Sequence, residues 1–475
     1  MSTPSFPTLT QALASINQSH LLTYYPSLSP DSQSKLLAQI KALDLRHIPK
    51  WVSEYVTAKP DATTASTSIN PAPYYAIHDT SWDRSKYAKV GEQLLRDGKV
   101  AAFTVAGGQG TRLGYDGPKG CYPATPITNK PLFQVFAEGL LAAGRKYGRP
   151  IPWYIMTSPL NHAQTVAFFT QHSHFGLNAK DVKFFEQGVM PSFDMVSGKI
   201  LLAAKDELAT NPDGHGGAIR ALDISGSIAD MQSRGIAYLS YFQVDNPSVN
   251  IVDPVFLGLH AAAPDSSGEM SSKMVRKAGP DEKVGVFVSI DGRTQVMEYS
   301  DMPPALSKAT LADGSLKFPG GSIAIHIISV EFLSRMASDA RFALPFHRAE
   351  KKVPHVDLST GNLVNPERPN AVKLEKFIFD ALPLCKNSLV YETDRLEEFA
   401  PIKNATGTDS AESSKDLQST RAARWLESVG VKVPRHTNGT VNALIELSPL
   451  TAIAPEDLKS KAASIKIDPG ARITL

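Results

Sequence analysis

The chain has 475 residues, 42% of them hydrophobic and 20% charged, the composition of a globular protein with more than one core. Lys and Arg number 49 against 47 Asp and Glu, and the resulting formal charge of +2 gives no support for nucleic acid or an anionic membrane as a partner. Only Cys121 and Cys385 are present, with no CxxC or Cys/His cluster, so neither a disulfide framework nor a structural zinc is implied.

The N-terminus lacks a basic stretch followed by a long apolar run, and no segment approaches the roughly 20 apolar residues of a membrane span. The expected location is cytoplasmic. Apolar residues at three-and-four spacing predict helices within residues 8–56, with Asp31 as N-cap of the second run. Residues 59–73, rich in Pro and Thr, have the composition of a surface linker. From Lys99 onward strands and helices alternate. VAAFTVA is a buried strand, Pro131 opens a helix, IPWYIMTS is a second strand, NHAQTVAFFTQH a second helix and VKFFEQ a third strand. GGAIRAL and IADMQSRG read as helical, and IAYLSYFQVD as a fourth strand. This alternation predicts an α/β fold with a mostly parallel sheet covered by helices, which VGVFVSI, TQVMEYS and GSIAIHIIS extend into a mixed sheet. KNATGTDSAESSKD reads as a loop before a small final domain. The expected division is a helical region (1–95), a catalytic domain (96–385) and a C-terminal domain (386–475).

The first strand runs directly into GGQGTRLGYDGPKG, which holds four glycines and an arginine between Gly107 and Gly114. Glycine lets backbone N–H groups approach an anion, and Arg112 and Lys119 add the charge a triphosphate needs. A dinucleotide fingerprint fails because Leu113 stands where its third glycine belongs. A Walker A loop fails because Lys119 lies between Pro118 and Gly120.

VAGGQGTRLGYDGPKG resembles the signature of the eukaryotic-type UDP-sugar pyrophosphorylases, most closely their UDP-N-acetylhexosamine branch. The likeness continues in order through WYIMTS, FFEQGVMPSFD, PDGHGGAIRAL, VDNPSVNIVDP, EKVGVFVSIDG, VMEYSDMP, KKVPHVD, NAVKLEKFIFD and EEFAPIKNA. It implies a doubly wound α/β core of the nucleotide-diphospho-sugar transferase type. The implied reaction joins UTP to a sugar 1-phosphate and releases pyrophosphate, by alignment and charge neutralisation with no covalent enzyme intermediate. By resemblance, Arg112, Lys119 and Lys403 are catalytic. Ala106, Gly107, Gly108, Lys119, Gln187, Gly214 and Lys373 bind UTP, with Gln187 reading the uracil edge. His215, Gly285, Glu298, Tyr299, Ser322, Phe377, Phe379 and Lys403 face the sugar phosphate. Asp245, closing the strand YFQVD, holds Mg2+, or Mn2+ in its place.

Four positions depart from the N-acetylhexosamine pattern. His215 and Ser322 stand where asparagine is usual, and Gln243 and Pro247 flank VDN. A histidine at 215 resembles the UDP-glucose branch and could titrate. Phe377 and Phe379 favour N-acetylglucosamine 1-phosphate as substrate; His215 and Ser322 favour glucose 1-phosphate or a broad range. A sensor that has lost catalysis is the reading from another class, and the joint presence of Arg112, Lys119, Asp245, Lys373 and Lys403 argues against it. His326 is read as a core or binding residue. The expected partners are the two substrates, with the oligomeric state open between monomer and weak dimer.

Overall fold

The computed structural model describes residues 6–58, 68–339 and 342–475. Contacts divide the chain into two compact units, each drawn from separated stretches of sequence. One unit is made of Met1–Ser66, Gln187–Ala218 and Leu344–Ile378, the other of Thr67–Glu186, Ile219–Ala343 and Phe379–Leu475.

The larger unit is built on a ten-stranded mixed sheet. Its strands are β1 (Ile69–Pro71), β2 (Val100–Val105), β3 (Trp153–Thr157), β4 (Val182–Glu186), β5 (Tyr238–Gln243), β6 (Met270–Arg276), β7 (Val286–Ile290), β8 (Arg293–Met297), β9 (Gly320–Ser329) and β10 (Val390–Glu392). The order β5-β2-β3-β4 is parallel, and β9 runs antiparallel against the far side of β5. β1 and β7 continue beyond β9, with β8 against β7, and β6 pairs with both β9 and β10. This is the doubly wound mixed α/β sheet the resemblance implies. Strands buried on both faces read as unbroken apolar runs, which is why VAAFTV and WYIMT were legible. Over the sheet, the helix Leu132–Tyr147 places Phe133 and Phe136 edge-on to Trp153, and Phe136 also meets Phe242.

After β2 the chain crosses to β3 and β4 on one side, then returns to β5 on the other. The order therefore reverses between β2 and β5, the switch point beside which open α/β sheets bind ligands at their carboxyl ends. Val105 is paired with Gln243, so the glycine-rich loop and the Asp245 turn leave the same edge side by side.

The C-terminal part of this unit is the helix Ala411–Ser428 with the parallel pair Ala443–Glu446 and Ala471–Thr474. The helix begins inside the stretch read as a loop, because Ser410 and Ser413 cap it reciprocally. Of the expected linker, residues 59–67 lie outside the described residues, and Ile69–Pro71 is an edge strand on β7.

The smaller unit gathers the helices Phe6–Ser15 and Pro30–Ala42 around Leu9, Leu13, Leu36 and Ile40, with Phe193, Val372 and Leu374 in the same core. The N-cap of the second helix is Ser29, whose side chain accepts from Ser32 N–H. Pro30 takes the first helical position and Asp31 sits in the first turn, so the expected cap is displaced by two residues. The strands His347–Lys351 and Ala371–Glu375 pair antiparallel in this unit.

Candidate active site

In the larger unit the glycine-rich loop folds back on itself. Gly110 N–H donates to Gly117 O at 2.9 Å, Tyr115 N–H to Gly110 O at 3.1 Å and Lys119 N–H to Gly108 O at 3.1 Å. A Cβ at Gly108 would meet nothing of the protein within 4 Å, so its backbone faces open space. At Gly120 a Cβ would lie 2.1 Å from the Phe133 ring, so glycine there is set by packing on the helix Leu132–Tyr147. Arg112 is exposed in a short turn, and Ala106 is buried at the loop's start.

The loop is tied from behind by a residue the sequence reading passed over. Asn161, fully buried, donates from Nδ2 to Ala106 O at 2.9 Å and to Gly108 O at 3.2 Å. Its Oδ1 accepts from Ser158 N–H at 2.8 Å and from Ser158 Oγ at 3.1 Å. One amide thus fixes the turn after β3 and the phosphate-type loop after β2 together. Nothing in SPLNH signals this, since its partners lie 53 and 55 residues away.

Lys119 Nζ lies 3.7 Å from Asp245 Oδ2, and both side chains are mostly buried. Burial depresses the Lys119 pKa; Lys403 and Arg112 push it the same way and Asp245 opposes them. These four predicted residues therefore share one electrostatic environment. Lys403 Nζ stands 3.9 Å from Asp409 Oδ2 and 5.3 Å from the Phe399 ring centroid. Burial raises the Asp409 pKa; Lys403 opposes the rise and Asp245 and Glu282 add to it. Among the described residues, no group of three or more His, Cys, Asp or Glu is placed to hold a metal. A single strand-end carboxylate is the donor set that suits Mg2+, which takes one or two carboxylates and leaves its other positions to phosphate and water.

A second group of predicted residues meets at β7–β9. Ser322 N–H donates to Gly285 O at 2.8 Å, and a Cβ at Gly285 would come within 3.4 Å of Glu298 Oε1. Tyr299 beside it is half exposed, and Phe379 is buried in the turn Ile378–Leu384. His326 is fully buried, with Nδ1 2.8 Å from Ser272 Oγ and its ring against Tyr241, which makes it a core residue.

In the smaller unit, Gln187 is buried and Lys373 is half-buried on the strand Ala371–Glu375. Gly214 has φ +82°, and a Cβ there would lie 2.4 Å from Lys376 O, so both conformation and contact require glycine. His215 accepts from Ile378 N–H at Nδ1 (3.1 Å) and stacks on Phe377 with ring centroids 5.1 Å apart. His347 stacks on Phe377 at 4.2 Å. Burial and the neighbouring His347 push the His215 pKa down to about 4. The sequence left open that His215 could titrate; this depressed value keeps the ring uncharged near neutrality. With Nδ1 accepting, its proton sits on Nε2.

Comparison with known proteins gives a consistent picture. The UTP–glucose-1-phosphate uridylyltransferase family profile matches residues 49–441. UDP-N-acetylglucosamine diphosphorylase 2 of Arabidopsis thaliana is 36% identical over 478 residues, covering 95% of this chain and 91% of its own. UDP-N-acetylglucosamine pyrophosphorylase of Saccharomyces cerevisiae is 34% identical, covering 94% and 95%. The crystal structure of uridine diphosphate N-acetylglucosamine pyrophosphorylase from Trypanosoma brucei superposes with a TM-score of 0.83 at 26% identity, covering 100% and 99%.

Proposed function

This chain belongs to the UTP–glucose-1-phosphate uridylyltransferase family, and on that premise we propose that it joins UTP to N-acetylglucosamine 1-phosphate, giving UDP-N-acetylglucosamine and pyrophosphate. The observation that carries the chemistry is the grouping of Lys119, Asp245, Arg112 and Lys403 at the carboxyl edge of β2 and β5.

A phosphate oxygen of the sugar phosphate attacks the α-phosphorus of UTP. The new P–O bond forms as the bond to the β-phosphate oxygen breaks, and pyrophosphate leaves with that electron pair. No side chain needs to take a proton or form a bond. The work is to align two anions and hold the charge that moves to the leaving group. Lys119, whose charged form its burial disfavours, would gain from an incoming phosphate. Arg112, exposed on the loop, would hold the leaving pyrophosphate. Lys403 would hold the sugar phosphate. Mg2+ held by Asp245 would neutralise part of the triphosphate charge. The roles of Ala106, Gly107, Gly108, Gln187, Gly214 and Lys373 toward UTP are supported by the resemblance.

For the sugar, the N-acetylglucosamine reading is supported by the relatives named for that sugar, 34–36% identical over most of the chain. Gly285, Glu298, Tyr299, Ser322, Phe377 and Phe379 are the proposed sugar contacts.

The test is pyrophosphate release from UTP and Mg2+ with a panel of sugar 1-phosphates. N-acetylglucosamine 1-phosphate is expected to give the highest kcat/KM. A wide margin for glucose 1-phosphate overturns the sugar assignment. No release with any sugar phosphate overturns the reaction.

A further inference from the structure

Asp245 and Lys403 are separated by 158 positions, yet the segments that carry them are stitched together by a short run of hydrogen bonds. Asn246 is the centre of this seam and is 6% exposed. Its Nδ2 donates to Glu398 O at 2.6 Å, and its Oδ1 accepts from Ala400 N–H at 3.1 Å and from Ser248 N–H at 3.2 Å. Next to it, Ile402 N–H donates to Asp245 O at 2.8 Å. The backbone of the proposed metal carboxylate is thus bonded to the residue before Lys403, and the side chain one position on spans the same two segments.

The seam is anchored from below. Glu398 Oε1 accepts from Lys273 Nζ at 2.5 Å and from Thr393 Oγ1 at 2.7 Å, and Oε2 accepts from Asn250 N–H at 3.3 Å. Lys273, fully buried on β6, also reaches Asp253 Oδ2 at 2.7 Å. The far side is held by Ser414 Oγ, which donates to Ala400 O at 2.6 Å.

Only an amide does what Asn246 does here. It must donate to a carbonyl and accept from two N–H groups within one planar group. A carboxylate would set negative charge against Glu398 O, and an apolar side chain would leave three buried backbone groups without partners. Capping or turn formation alone would need only the Ser248 bond. The two bonds to Glu398 and Ala400 are long-range and serve the pairing of the segments.

We propose that Asn246 is a positioning residue for the transfer, fixing the carboxylate of Asp245 and the ammonium of Lys403 in mutual register. The proposal rests on the function proposed above. Register matters because the two groups would act on different reactants, the triphosphate and the sugar phosphate. A displacement of about 1 Å between reactants is enough to cost on the order of 100-fold in rate.

The experiment has three arms, with pyrophosphate release by the unmodified enzyme first establishing the reaction itself. Asn246→Ala and Asn246→Asp are compared for kcat, for KM of the sugar phosphate and for the Mg2+ concentration at half-maximal rate. Register loss lowers kcat at least tenfold and shifts both the KM and the Mg2+ requirement in the same variant. A fall in kcat with both unchanged marks a smaller folded fraction and overturns the proposal. The second arm repeats Asn246→Ala in a Lys403→Ala background. If Asn246 acts through Lys403, the KM effects are not additive; full additivity overturns the proposal. The third arm needs no variant. In the unmodified protein, UTP and Mg2+ without sugar phosphate should slow amide exchange at Ala400 and Ile402. Exchange unchanged by that addition overturns the proposal, while the reaction established at the outset stands.

Discussion

Replacing Asn161 by alanine tests whether the glycine-rich loop is held from behind. Four hydrogen bonds converge on this fully buried amide. Gly108 O keeps a partner after truncation, because Lys119 N–H also donates to it. Ser158 N–H and Ala106 O each lose the side-chain partner, at about 1–2 kcal/mol apiece, so the expected destabilisation is about 2–4 kcal/mol. At about 2 °C per kcal/mol for a unit of this size, calorimetry should show Tm lowered by about 4–8 °C. The freed loop should also lose UTP affinity by about tenfold or more in a calorimetric titration. Asn161→Asp separates the two effects. It keeps both acceptor bonds to Ser158 but turns a carboxylate toward two carbonyls, so UTP affinity should fall as far as in Asn161→Ala. A variant that melts within about 1 °C of the wild type and binds UTP equally well would refute the tether.

Asp245→Ala is expected to abolish Mg2+-dependent turnover while the far-ultraviolet spectrum stays that of the wild type; unchanged turnover at saturating Mg2+ excludes the assigned role. Lys273→Met leaves Asp253 and Glu398 buried without their cation and should cost about 3–5 kcal/mol in unfolding experiments, whereas a loss under about 1 kcal/mol would mean the carboxylates find other partners. His215 has a folded-state pKa of about 4, below the unfolded value near 6.5, so its contribution to stability is full above about pH 6.5 and is lost as pH falls toward 4. His260, buried and pushed to about 3, acts with the same sign. His215→Asn should therefore flatten the acid side of the Tm profile and leave the shape of kcat/KM against pH unaltered between about pH 5.5 and 8. A limb near pH 6.5 present only in the wild type would contradict this.

The sheet was readable because β2 and β3 are near-continuous buried apolar runs, and β2 and β5 run into glycine and aspartate. The same grammar exposed Arg112, Lys119 and Asp245, which lie within a loop or turn of a strand end. What stayed hidden depends on pairings distant in sequence. Asn161 and Asn246 look like ordinary turn asparagines until their partners, about 55 and 150 positions away, are seen. The smaller unit could not be drawn from chain order, since its core joins Leu36 to Val372 and Phe193. Ser29 rather than Asp31 caps its helix because Pro30 fits the first helical position, a local choice that periodicity does not resolve. His215 was seen as a departure, but its charge state required Ile378, Phe377 and His347 around it.

If Lys119 takes the triphosphate and Asp245 the cation, as proposed, their pairing at 3.7 Å would make the two ligands thermodynamically dependent on each other. A triphosphate arriving alone draws the ammonium away and leaves a buried carboxylate uncompensated. A divalent cation arriving alone leaves the ammonium beside Lys403 and Arg112 with no counter-charge. Either event makes the other more favourable, and by linkage the factor by which the cation tightens triphosphate binding equals the factor by which the triphosphate tightens cation binding. On the proposed roles, this coupling would favour uptake of the metal–nucleotide complex over uptake of either component alone.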